Sequence, residues 1–184
     1  MNIFILDSSP AIAASYHCDH HIHKMILESA QMASTAARVL GLPEYIYPSV
    51  YQPAYPNHPC TKWVSEHPGN LAWLCSLANW LEYTRLKLGH TPHKSIGVIN
   101  RINTCAMYVL YPQYSYPDHT PFAEAMYPRI QIRRDMTTVQ KYQHYYRLKF
   151  KAWGLTGSEQ LQYKGRSVPN FLLTSPTHTD SNSP

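Results

Sequence analysis

The chain has 184 residues, a formal charge of +5 and a pI near 9.0, yet only 15% of its residues are charged. That length suits one domain with a substantial core. The positive balance points to an anionic partner, but the charge is too dilute for a non-specific polyanion coat and no Lys/Arg block occurs.

Asn2-Ile3-Phe4-Ile5-Leu6 reads as one short buried strand or as an extended arm against the core, closed by Asp7-Ser8-Ser9-Pro10. Ser8 or Ser9 before Pro10 signals a helix start, and Ala11 to Ser15 fits a short helix. Asp19 is the expected cap of a long helix running to Leu40, which Gly41 and Pro43 end. Residues 43–59 set Tyr45, Tyr47, Tyr51 and Tyr55 among prolines, an irregular segment that reads as a lid or as an exposed linker. His58 to Val64 opens another short helix. Asn70 is the expected cap of a strongly periodic one, with Leu71, Leu74, Leu77, Ala78 and Leu81, ended by Gly89. His93-Lys94-Ser95 begins a further helix that stops before Pro112, and a second Tyr/Pro loop follows to Pro121. Thr137 or Thr138 starts the last one, which mixes Tyr142, Tyr145, Tyr146, Phe150 and Trp153 with Lys141, Arg147, Lys149 and Lys151. It is basic and aromatic at once, or else a surface helix with snorkelling lysines. The expected fold is mostly α, a single compact domain over 1–153 with four to five main helices and Tyr/Pro-rich loops. Residues 154–173 read as a loosely packed extension and 174–184 as a disordered tail.

The 19–40 helix breaks an ordinary rule. At helical spacing His17, His21, Lys24, Glu28, Gln31 and Thr35 stack along one face. Ile22, Met25, Ile26, Leu27, Ala30, Ala33, Ala36 and Ala37 cover most of the remaining circumference. A helix apolar nearly all round is buried. Burying Lys24 and Glu28 costs several kcal/mol unless they are paired or line a cavity. The stripe therefore reads as the wall of an internal site; the plainer alternative is an i, i+4 ion pair on a solvated face.

Tyrosine is abundant, with 15 copies beside 11 His, side chains that can stack on bases and donate hydrogen bonds to phosphates. Cys18, Cys60, Cys75 and Cys105 form no CxxC pair, and no secretory signal precedes them, so reduced thiols in a cytosol are expected. No apolar run reaches the length of a membrane span. Walker, Rossmann, nucleophile-elbow and zinc-knuckle patterns are absent. His17 and His21 have zinc-helix spacing, but Lys24 one turn on and the missing HExxH argue against a metal. No cofactor is expected.

"MNIFILD", "AASYHCDHHIHKMILESAQM", "HPCTKWV", "HKS" and "TPFAEAM" together resemble a family of small uncharacterised proteins carried by tailed phages. The Asp19-His20-His21-Ile22 run followed by Glu28 is similar, more faintly, to the phage pyrimidine-dimer DNA glycosylases, compact all-α proteins with a catalytic glutamate on an early helix. That resemblance implies that Glu28 is the carboxylate beside a glycosidic bond. The family's nucleophilic N-terminal Thr is missing, with Asn2 in its place, and the helix lacks its arginines. Glu28 and Lys24 are then the candidate catalytic pair. His17, Asp19, His21, Gln31, His58, Lys62, Trp63, His93 and Lys94 are candidate ligand contacts, and the expected partner is a nucleotide or nucleic acid, with no membrane and self-association left open. Two functions follow: an enzyme acting on an N-glycosidic bond, or a sponge that sequesters a nucleotide-derived immune signal of the host.

Overall fold

The computed structural model describes residues 1–113, 119–126, 135–155 and 162–173. Its helices are α1 (Pro10–Tyr16), α2 (Asp19–Val39), α3 (Pro59–Glu66), α4 (Pro68–Lys87), α5 (Ile96–Val109), α6 (Thr138–Ala152) and α7 (Asn170–Leu173), with 3-10 turns at Glu44–Ser49 and Tyr111–Gln113. The architecture is mostly α, as the periodic runs predict. Among the described residues no helix is long and apolar enough to cross a membrane.

α2 is the centre. Ala30, Ala33, Ala36 and Ala37 are fully buried, and such small side chains let neighbouring helices approach closely. α4 packs on α1, α2, α3 and α5, while α3 and α5 also reach α2. Asp19 in the first turn and Arg38 in the last suit the helix dipole, and Gly41 ends the helix at φ +73°.

No strand forms at the N-terminus; Asn2–Leu6 is an extended arm. Ile3, Ile5 and Leu6 are fully buried, and their backbone finds partners in side chains rather than in a neighbouring strand. Asn2 Oδ1 accepts from the Ile3 and Phe4 amides at 2.7 and 2.9 Å, and Asn2 Nδ2 donates to the Ala125 carbonyl at 2.7 Å. Phe4 sits at φ +49°, a left-handed conformation uncommon outside glycine. The turn lays its ring on His21, with centroids 4.7 Å apart and stacked.

Two expected caps are corrected. α2 begins after Cys18, not with Asp19 as cap; the Asp19 carboxylate instead accepts from Arg166 at 2.7 Å and from the Lys164 amide at 2.9 Å. With Tyr163 buried, these bonds dock 162–166 on the start of α2. α4 begins at Pro68 with His67 as its cap. Asn70 is fully buried and clamps two segments: its Nδ2 donates to the Trp63 carbonyl and Thr120 Oγ1, and its Oδ1 accepts the Thr120 amide. Likewise α5 starts at Ile96 rather than at His93. Thr137, by contrast, caps α6 in a capping box with Gln140. Asn70→Ala should cost about 2–4 kcal/mol, since it leaves buried backbone groups unpaired. Urea denaturation followed by tryptophan fluorescence checks this; a loss below about 1 kcal/mol would mean the clamp is redundant.

The 43–59 segment is strapped along α2. The Tyr51 amide donates to Ser34 Oγ, the Ala54 amide to Thr35 Oγ1, and Arg38 to the Tyr51 carbonyl. Tyr45 and Tyr55 remain largely exposed. The expected tail, 174–184, lies outside the described residues.

Candidate functional site

The polar stripe of α2 divides into three environments. His17, in the extended link before α2, and His21, in its first turn, both face the core. His17 Nδ1 donates to the Ala13 carbonyl at 2.7 Å, and its Nε2 is buried without a hydrogen-bond partner. His21 Nδ1 lies 2.6 Å from Tyr146 Oη, which also accepts the Cys18 amide at 3.0 Å. With its oxygen already accepting, the Tyr146 hydroxyl is free to donate to a neutral His21. Burial, chiefly, lowers the pKa of His17 to about 4 and that of His21 to about 2. Both rings are neutral at pH 7. At the far end of the stripe Thr35 holds the 43–59 segment, and Gln31 is half-buried between.

Only the middle of the stripe is a charged site. The Glu28 side chain is 12% exposed and Lys24 is 55% exposed. Glu28 Oε2 accepts the Asn2 amide at 2.9 Å and lies 3.8 Å from the Met1 α-ammonium; Lys24 Nζ stands 3.5 Å from Oε1. The extended arm thus fixes one carboxylate oxygen and leaves the other beside a mobile cation. Of the two stripe readings, the geometry shows the i, i+4 pair, with Lys24 solvated and the carboxylate bonded by the arm.

His58 is brought to this place. It caps α3, its Nδ1 accepting the Cys60 amide at 3.2 Å, so a neutral ring carries its proton on Nε2. Burial lowers its pKa, helped by the α-ammonium and opposed by Glu28.

The remaining candidates lie apart from Glu28. Asp19 serves the 162–166 contact. Trp63 is buried against Trp73 and Phe122, and Lys62 is exposed on α3. His93 and Lys94 precede α5, where the His93 amide donates to Glu82 at 2.8 Å and Glu82 pairs with Arg85 at 3.0 Å. Lys94 is exposed. Sequence reasoning missed the arm's part in the site, because an apolar run gives no sign that its first amide will bond a carboxylate. It also missed Tyr146 as the partner of His21, although Tyr142, Tyr146 and Phe150 repeat at helical spacing and all three are buried.

Thiol chemistry has little support. All four cysteines are free and buried, and burial raises the Cys18 thiol and pushes Cys60 up to about 11 and Cys75 to about 12. Among the described residues no three His, Cys, Asp or Glu side chains converge as a metal-binding group. A cleft of about 730 Å³ lies at Tyr16, Gln143, Arg166 and Phe171. No carboxylate lines it. No family model, curated protein or solved structure matches the chain.

Proposed function

We propose that the protein recognises a nucleotide unit of nucleic acid at Glu28 and hydrolyses its N-glycosidic bond. The observation that carries this reading is the state of Glu28, gripped at Oε2 by the Asn2 amide and open at Oε1 beside Lys24. A fixed carboxylate of this kind can stabilise an oxocarbenium-like C1′ and take a proton from water. In the reaction the C1′–N bond breaks and its electron pair leaves with the base, whose nitrogen takes up a proton from solvent. A water oxygen bonds to C1′, and its proton passes to Glu28. Lys24 holds the neighbouring phosphate, and His58, protonated on Nε2, offers a donor beside the carboxylate.

The faint glycosylase resemblance supports the same reading, since Asn2, in place of that family's nucleophile, abuts Glu28. Its nitrogen is a peptide amide that donates to Glu28, and this reading takes water as the nucleophile. The sponge reading, an anti-defence role in the phage setting that the motifs suggest, needs positive charge inside a cavity. His17 and His21 are neutral and walled into the core, whereas Lys24 is at the surface.

Incubation with single-stranded and duplex oligonucleotides, followed by alkaline cleavage at abasic sites, tests the proposal. Lys24→Met should weaken oligonucleotide binding by about 1.5–3 kcal/mol if one charged hydrogen bond is lost. Its melting temperature should hardly move, because a half-exposed pair contributes at most about 1 kcal/mol. No abasic sites, with an intact nucleotide released stoichiometrically on denaturing the purified protein, would favour sequestration instead.

A further inference from the structure

Helix α6 carries a second feature that the Glu28 chemistry does not use. Lys149 Nζ lies 5.2 Å from the Tyr145 ring centroid, 5.6 Å from Trp153 and 5.8 Å from Phe4. The ammonium is ringed by three aromatic groups and has no carboxylate partner among the described residues. Trp153 remains 44% exposed. Its ring stands edge-on to His20 at 6.5 Å and to His21 at 5.5 Å, which places it over the first turn of α2.

From that turn an outward row runs His20, Lys24, Glu28 at i, i+4 spacing. It leads from the tryptophan to the carboxylate over about 12 Å of helix axis. At a stacked rise of about 3.4 Å per nucleotide in one strand, that is three to four nucleotides. Lys24 and Lys149 both bear on His21, each lowering its pKa after burial and the neighbouring histidines.

We infer that Trp153, Lys149, His20 and Lys24 form a platform for a short single-stranded nucleic-acid segment whose nucleotide enters at Glu28. This inference rests on the reading of Glu28 given above. The exposed indole face stacks a base, as aromatic platforms for single strands do. Lys149, held by rings and without a counter-ion, takes a phosphate. A footprint of three to four nucleotides fits one flexible strand better than a duplex groove.

The test uses the full chain, a fluorescein-labelled dT12 strand and the matching dT12·dA12 duplex, titrated at several salt concentrations. The expected result is tighter binding of the single strand. Trp153→Ala should weaken it roughly 5- to 150-fold, with Trp153→Phe recovering most of the loss. Lys149→Met, which keeps the stem among the rings, should lower the slope of log K against log salt by about 0.7. Equal affinity in the wild type, Trp153→Ala and Lys149→Met would overturn the platform, as would preference for the duplex or no binding at all. The outcome also separates the two proposals. Strand binding that depends on Trp153 without base release would sink the glycosidic reading alone. Base release indifferent to Trp153 and Lys149 would sink the platform alone.

Discussion

Between pH 7 and pH 4 the protein should lose about 3 kcal/mol of stability through His17 alone, and more through His21. Both rings have folded-state pKa values below the ordinary 6.5, about 4 and about 2, chiefly because burial disfavours the cation. The unfolded chain therefore takes up these protons first as acid is added. The stabilisation is fully present above pH 6.5. It drains as pH falls toward about 4 for His17, and toward about 2 for His21. For a chain of this size 3 kcal/mol corresponds to roughly 6–12 °C in melting temperature. Melting curves at pH 7, 6, 5 and 4 check the slope. His17→Asn keeps a donor for the Ala13 carbonyl and cannot take a proton, so its melting temperature should fall less steeply with acid. An unchanged slope would place the acid sensitivity elsewhere.

The long helices were legible because their apolar positions recur at 3.6-residue spacing, as Leu71, Leu74, Leu77, Ala78 and Leu81 do in α4. Helix starts were less so. Asn70 and Asp19 have the short polar side chains that cap helices, but such groups also serve as long-range clamps, and here Thr120 and Arg166 claim them. Between Thr137 and Thr138 the structure makes Thr137 the cap, and that start was legible because its capping box with Gln140 is local.

For the site, spacing put Lys24 and Glu28 one turn apart, and they do pair; His17 instead lies before α2, in the extended link that ends α1. Periodicity cannot say what each residue faces. Tyr146, 125 residues from His21, draws the histidines into the core, while the solvent takes Lys24. The arm's grip on Glu28 was likewise illegible: it depends on Asn2 satisfying its own neighbours' amides, which no pattern along the chain encodes.

Glu28→Gln should reduce base release by at least about 100-fold, at the low end of what a positioned acid-base group supplies. The amide oxygen of Gln can still accept the Asn2 N–H, so the arm keeps that bond, and the stability lost with the Met1 and Lys24 ion pairs should be smaller than in Glu28→Ala. Glu28→Ala, which removes the acceptor, should cost more, about 1–3 kcal/mol, by leaving that amide unpaired. The contrast separates a chemical role from a structural one. If both variants unfolded alike while release per folded molecule was unchanged, Glu28 would be only a fastener for the arm.

The most direct measurement is free base released from a single-stranded oligonucleotide of mixed sequence, quantified by mass spectrometry for the wild type and Glu28→Gln at equal folded concentration. The account predicts time-dependent release of base by the wild type. With Glu28→Gln it predicts release reduced at least about 100-fold while strand affinity is retained. Absence of release by the wild type on strands it binds, or release that survives Glu28→Gln, would contradict it.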